Sequence, residues 1–295
     1  MTNENSAPDS APARTICIVG IGLMGASFAL ALKARGYNGR ITGVSRSTAT
    51  RDKALQRSVV DFATTDLAEG VRDADVIVLC TPVRLLVEQI AAVGALCRPG
   101  AIITDMGSTK SNVIAAMNAL PAHVRAIGSH PMCGKETAGI DVAEPGLYEN
   151  APWILTRSAR TDDEAFAVIQ ALAVLVGARP REIDVTQHDA LLAHASHLPW
   201  AVSTAMVYTT DHFAVDHPAV WQVTAGGYRD TSRVAASDVT MWTDIALTNQ
   251  SAILAAIRDF QFSLDQLAVL IERGDEAGLR SFIERAAVAR KAKYG

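Results

Sequence analysis

Residues 20–25 read Gly20-Ile21-Gly22-Leu23-Met24-Gly25. This GxGxxG turn stands between an apolar β-branched run, TICIV (15–19), and a stretch with helical periodicity, MGASFALALKAR (24–35). Glycine is common in loops, so the hexapeptide alone is a weak signal and an ordinary glycine-rich turn is the plainer reading. A strand directly before it and a helix directly behind it make the context in which it binds dinucleotides. Gly20 then permits the tight turn, Gly22 lets a pyrophosphate approach the backbone, and Gly25 lets helix and strand pack closely. The first helical turn, with Leu23 and Met24, offers free N–H groups and partial positive charge to the phosphates.

The same alternation continues downstream. RITGVS (40–45), DVIVLC (75–80), AIITD (101–105), VRAIGS (124–129), APWILT (151–156) and PREID (180–184) predict strands, and helices are expected over 48–57, 84–97 and 163–176. Strands alternating with helices of this length predict a parallel sheet wound on both faces, and continuous apolar runs suit strands covered on both sides. Strand patterns stop after about residue 185. The stretches 186–211, 238–258, 259–273 and 275–292 all read as helix, with Gly274 at the last turn. The expected organisation is a disordered tail over 1–13, a Rossmann-type α/β dinucleotide-binding domain over 14–184, and an all-helical domain over 185–295 for substrate and dimerisation. A helical domain this apolar predicts burial against a second copy, hence a homodimer.

Composition excludes other classes. The 27 basic and 31 acidic side chains give a net charge of −4, and aromatic residues make up 5%. No nucleic-acid partner is expected, because neither a basic stripe nor a stacking surface is available. No apolar run approaches the ~18 residues needed to span a membrane. MTNENSAPDSAPA lacks the basic start and apolar core of a secretory signal. The four cysteines (Cys17, Cys80, Cys97, Cys133) have no CxxC spacing, so a reducing cytoplasm is expected.

Four constellations point to chemistry. An NAD site places Asp or Glu at the end of the second strand to meet the ribose hydroxyls. Here Ser45, Arg46 and Ser47 hold that place, and a guanidinium with hydroxyls suits a 2′-phosphate, which favours NADP over NAD. The plainer reading is a polar loop with Arg46 in solvent. Met106-Gly107-Ser108-Thr109-Lys110 and Gly128-Ser129-His130-Pro131-Met132 each follow a strand, at the sheet edge where doubly wound folds bind ligands. Ser108 could simply cap the next helix. His130 has less structural excuse and suits acid–base work. In HDALLAHASHLPW (188–200), His194 and His197 share a helix face, but no carboxylate or cysteine stands at ligand spacing, so no metal is expected. Pro199 should disturb that helix. Arg229, Asp230 and Arg233 follow two glycines, either as surface salt bridges or as an anchor for a substrate carboxylate.

In order along residues 15–290, GIGLMGASFALALK, GSTK, GSHPMCGKETAG, SHLPW and GGYRDTSR resemble the prephenate and arogenate dehydrogenase family of tyrosine biosynthesis. The resemblance implies oxidative decarboxylation of a cyclohexadienyl substrate, with hydride passing to the nicotinamide and aromatisation driving loss of CO₂. It makes His130 the group that hydrogen-bonds the ring hydroxyl and favours its deprotonation, with Ser108 bonding the same hydroxyl or orienting His130. Arg233 would hold a substrate carboxylate, Asp230 and His197 would line the side-chain pocket, and Thr81 and Pro82 would meet the cofactor. Many prephenate-using members carry HLPH where this chain has Trp200, and the VSRS run resembles NADP-dependent arogenate dehydrogenases. The expectation is therefore arogenate with NADP, Asp230 facing the substrate ammonium; the alternative is a prephenate or dual-substrate cyclohexadienyl dehydrogenase. A β-hydroxyacid-type enzyme would need a lysine in the helical domain, and none lies between Lys135 and Lys291. A non-catalytic NADP-binding redox sensor would leave His130, Ser108 and Arg233 unexplained.

Overall fold

The computed structural model describes residues 13–294. The expected tail falls outside these residues except Ala13, which is buried and accepts a hydrogen bond from the Tyr37 hydroxyl. The chain runs β1 (Thr15–Val19), α1 (Leu23–Ala34), β2 (Arg40–Val44), α2 (Thr48–Gln56), β3 (Phe62–Thr64), α3 (Leu67–Val71), β4 (Val76–Leu79), α4 (Val83–Leu96), β5 (Ile102–Asp105), α5 (Ser111–Asn118) and β6 (Arg125–Pro131). Then come β7 (Pro152–Arg157), α6 (Asp163–Leu175) and β8 (Arg179–Glu182). Eight strands form one sheet in the order β3-β2-β1-β4-β5-β6-β7-β8.

Alternate residues of β1 feed the two faces: Ile16 and Ile18 join the core with Phe28, Leu32 and Ile41, while Cys17 and Val19 join Ile77, Leu79, Leu86 and Ile90. Such two-sided burial explains the unbroken apolar runs. One expectation needs correction: the sheet is mixed, because β7 pairs antiparallel with β6. A parallel neighbour needs a crossover, usually a helix, to return the chain to its starting edge. Residues 132–151 hold only a single 3₁₀ turn, Ile140–Val142, so the next strand runs back. α6 then supplies a crossover, and β8 is parallel to β7.

The helical region comprises α7 (Val185–Leu192), a π-helical turn (Ala193–His197), α8 (Leu198–Ala214), α9 (Gly226–Ser232), α10 (Val239–Thr248), α11 (Gln250–Glu272) and α12 (Glu276–Tyr294). The expected disturbance by Pro199 is this π turn, immediately ahead of a residue that has no N–H to give. The break expected near 258 lies instead at Asn249, which leaves helical geometry (φ −123°, ψ 33°) because its side chain is engaged at the site described below. Gly274 makes the last turn at φ +60°. Only a small core forms here, around Ala193, Trp242, Ile245, Ile253 and Ala256, while Tyr208, Phe213, Phe262, Ile271 and Ile283 stay exposed in the single chain. Among the described residues no helix is long and apolar enough to cross a membrane, and the four cysteines are unpaired.

Candidate active site

Two adjoining cavities open along the carboxyl ends of β1, β2, β4, β5 and β6. The smaller, about 500 Å³, is lined by the glycine turn, Ser45, Arg46, Ser47, Thr81, Pro82 and Gln89. Gly20 has φ +102°, and a Cβ there would lie 2.9 Å from the Cys80 carbonyl. At Gly25 a Cβ would come 2.2 Å from the Gly20 oxygen, whereas the space at Gly22 is open. α1 begins with no side-chain cap and no acidic residue in its first turn. Bare N–H groups and an open approach are what a pyrophosphate requires, so these residues fit a dinucleotide.

Arg46 makes no ion pair among the described residues, although its neighbours are engaged: Arg51 with Asp52 at 2.6 Å and Lys53 with Asp141 at 2.7 Å. Ser47 caps α2 by accepting from the Thr50 N–H at 3.3 Å.

The larger cavity, about 630 Å³, lies between the sheet edge and the helical region. Leu23, Met24, Thr81, Ser108, His130, His197, Arg233 and Trp242 all reach it. His130 is the penultimate residue of β6, and its Nδ1 lies 3.1 Å from Nε2 of His188. His188 Nδ1 lies 2.8 Å from Oδ1 of Asp189. Asp189 also accepts from the Lys110 N–H at 2.7 Å, and from the N–H and hydroxyl of Ser111 at 2.9 and 2.5 Å.

These partners assign the tautomers. A carboxylate can only accept, so His188 carries its proton on Nδ1 and accepts at Nε2. His130 must then donate from Nδ1, which leaves its Nε2 lone pair bare, with no protein partner among the described residues. Burial first, then the positive charge of Lys110, holds the His130 pKa well below the ordinary imidazole value. The site therefore presents a neutral, oriented base.

Lys110 and Asp105 are both fully buried and paired at 2.6 Å. The ammonium also donates to the carbonyls of Gly107 at 2.7 Å and Thr109 at 3.2 Å. Asp105 in turn accepts from the N–H of Gly107 at 2.7 Å and of Ser129 at 2.9 Å. The pair thus fixes both the loop that carries Ser108 and the strand that carries His130. Asn249 donates to the Asp189 carbonyl at 2.8 Å and meets Nδ1 of His197 at 3.1 Å. Burial lowers the His197 pKa to about 4.

Several sequence expectations need revision here. Ser108 caps no helix: α5 starts at Ser111, and Asp189 from the helical region caps it across the interface. His188, not Ser108, orients His130. His194 does not converge with His197, because the π turn sends it outward, 3.5 Å from Asp259. No group of three metal-ligating residues occurs among the described residues. Asp230 is exposed beside Arg229 and does not line the cavity. The acidic groups that do are Glu136, ion-paired with Arg233, and Asp238, which caps α10. Trp200 is also outside the wall; it stacks flat on Trp242 at 4.6 Å and 1°. In the sequence Lys110 stands within its motif but without a role, and Asp105, His188, Asp189, Glu136, Gln89 and Asn249 have none, although His188 and Asp189 stand side by side as the HD of HDALL.

Fold and cavities together define a two-domain nucleotide-binding dehydrogenase. Residues 28–181 match the family model described as prephenate dehydrogenase, nucleotide-binding domain, and residues 184–285 match prephenate dehydrogenase, dimerization domain. The chain belongs to the prephenate dehydrogenase family, whose relatives include arogenate-named enzymes. It is 32% identical over 282 residues to prephenate dehydrogenase of Lactococcus lactis subsp. cremoris, covering 95% of this chain and 77% of that one. Prephenate dehydrogenase from Aquifex aeolicus, solved in complex with hydroxyphenyl propionate and NAD+, superposes with a TM-score of 0.88 at 31% identity, covering 95% and 98% of the two chains. Synechocystis arogenate dehydrogenase gives 0.81 at 33% identity, covering 95% and 99%.

Proposed function

We propose that the protein is an NADP-dependent arogenate dehydrogenase, a homodimer of the cytoplasm that converts arogenate to tyrosine and CO₂. The observation that carries the substrate choice is the Arg233–Glu136 pair at the mouth of the cavity. The side chain of arogenate bears a carboxylate and an ammonium together, and so can take one partner from each member of that pair. Prephenate, a keto acid, would offer Glu136 no ammonium and leave it to Arg233 alone. Position 200 also lacks the histidine that the family's HLPH form carries.

Gly20, Gly22, Gly25, Leu23 and Met24 would hold the dinucleotide backbone, with Thr81 and Pro82 beside it and Arg46, Ser45 and Ser47 at a 2′-phosphate. Bound NADP supplies the hydride acceptor. His130 takes the proton of the ring hydroxyl at Nε2 as that carbon becomes a ketone, and loss of the ring carboxylate then aromatises the product. Ser108 hydrogen-bonds the same ring oxygen. His197 lines the side-chain end with Trp242, and Trp200 supports Trp242 from behind.

Initial rates with arogenate and prephenate, each with NADP and NAD, test this reading. Fast turnover with arogenate and NADP alone is expected. A prephenate-using or dual-substrate enzyme is the second reading, favoured by the name of the Lactococcus relative. Turnover with prephenate and NAD would establish it in place of ours.

Two variants probe the anchors separately. Arg233→Ala should raise KM for arogenate by about tenfold or more, since a charge-assisted bond of roughly 1.5–3 kcal/mol is lost. An unchanged KM would remove Arg233 from the pocket. Arg46→Ala should raise KM for NADP by about tenfold and leave NAD alone, because only NADP carries the phosphate it would contact. Equal changes for both coenzymes would end the 2′-phosphate role.

A further inference from the structure

Thr81 was expected to meet the cofactor, yet its hydroxyl is already committed. Its methyl group packs against the glycine turn, where a Cβ on Gly20 would lie 3.0 Å from Thr81 Cγ2. That contact turns the hydroxyl the other way, and it donates to Oε1 of Gln89 at 2.6 Å. Gln89 sits half-buried in the second turn of α4 and lines the smaller cavity with Gly20, Ser45 and Arg46. In this arrangement the Thr81 hydroxyl donates to Oε1 and leaves the amide NH₂ of Gln89 pointing away from it. That NH₂ group makes no hydrogen bond among the described residues, and so remains a donor on a cavity wall to which Val19, Ile21, Val44 and Pro82 also contribute apolar surface.

We infer that Gln89 is a coenzyme-binding residue whose amide NH₂ donates to a ring nitrogen of adenine, and that Thr81 is the positioning residue that aims it. A free donor beside apolar side chains suits an aromatic heterocycle bearing acceptor nitrogens, since the apolar groups can cover its faces while the donor meets its edge. The 2′-phosphate carries no such need, because Arg46 and the α2 cap stand on the opposite side of the turn, at the end of β2. This inference rests on the reading of the smaller cavity as the adenosine half of the site. It predicts a division of labour: Arg46 sets the choice between NADP and NAD, while Gln89 supports both alike.

The experiment is inhibition of the full-length enzyme by AMP and by nicotinamide mononucleotide, competing against NADP, in the wild type, Gln89→Leu, Thr81→Val and the double variant. Losing one neutral hydrogen bond should raise Ki for AMP by about five- to tenfold in Gln89→Leu, with Ki for nicotinamide mononucleotide unmoved. KM for NADP and for NAD should rise by the same factor. Thr81→Val should reproduce the effect, and the double variant should be no worse than Gln89→Leu, because the threonine acts only through the amide. A general loosening of the fold would move both inhibitors together and would make the two substitutions additive; either result overturns the proposal. Gln89→Glu is the second variant: it keeps size and the bond from Thr81 but removes the donor, and it too should lose AMP affinity. If AMP does not compete with NADP in the wild type, the adenosine reading of the cavity falls, and this proposal with it. If AMP competes equally with wild type and Gln89→Leu, the adenosine reading stands and the role of Gln89 does not.

Discussion

Replacing His130 with glutamine is expected to cut kcat by about 10²–10⁴-fold while changing KM for substrate far less, because proton removal is an interaction made in the transition state. Glutamine keeps a donor and an acceptor of similar reach but cannot take a proton. The wild-type geometry is organised for that single act. Nδ1 is tied to His188, Nε2 is bare, and burial with Lys110 nearby keeps the ring neutral. The pH profile gives an independent check. A base must be deprotonated to work, and burial lowers the pKa of this one, so kcat/KM should hold its plateau down through 6.5 and fall only at lower pH. The acid limb should vanish in His130→Gln. The titrating groups facing His130 are His188, Asp189, His197 and Lys110. Of these, His197 at about 4 and His188, which burial holds below the ordinary imidazole value, compete for the limb, and His197→Asn should leave the limb in place. A glutamine variant that keeps kcat within a few-fold and raises KM would make His130 a binding group only.

What could be read in advance divides by range along the chain. The glycine turn, the alternation of strands and helices, and the placing of His130 beyond a strand are local patterns, and each is written within a dozen residues. β3 and α3, at three and five residues, are too short for any period to register. The direction of β7 was unreadable because an apolar run looks the same from either end; only the helix-free 132–151 segment betrays it. The ring nitrogen of His130 is oriented by residues 58 and 59 positions away. That contact exists only once α7 docks on the sheet edge, so nothing near GSHPM announces it. Lys110 stands in a motif beyond a strand, but its complete burial depends on Asp105, which reads as the end of AIITD and nothing more. Asp230 and Glu136 differ in the same way. Both are acidic residues inside family motifs, and which of them reaches the cavity is decided by the side of α9 that faces outward and by the path of the 132–139 loop.

Asp189 is where the two halves of the molecule meet, and its replacement by asparagine is the second large effect expected. One carboxylate satisfies His188 Nδ1–H and the Lys110 N–H through Oδ1, and the Ser111 N–H and hydroxyl through Oδ2. Four donors converge on it, and bonds from His188, Ser111 and Lys110 hold its pKa well below the usual carboxylate range against the cost of its burial. Asparagine has one oxygen and an NH₂ that must face a donor. If the oxygen keeps the N–H and hydroxyl of Ser111, the NH₂ faces His188 and the Lys110 N–H, and forces the His188 proton to Nε2. His130 must then accept at Nδ1 and carry its own proton on Nε2, the atom that needs to be bare. The wrong tautomer costs about 10⁴ in the serine-protease relay. With one more ring between carboxylate and base, a loss of about 10²-fold in kcat is expected here, again with little change in KM. If instead the oxygen stays with His188, α5 loses part of its cap, worth about 0.5–2 kcal/mol of stability, and kcat survives. Measuring kcat and Tm on the same preparation separates the two. His188→Phe should match the asparagine variant in kcat, and the double variant should be no slower than either, since residues in one relay do not add. A fall in Tm with kcat intact would reduce Asp189 to a helix cap, and the orientation of His130 would then rest on the packing of its strand alone.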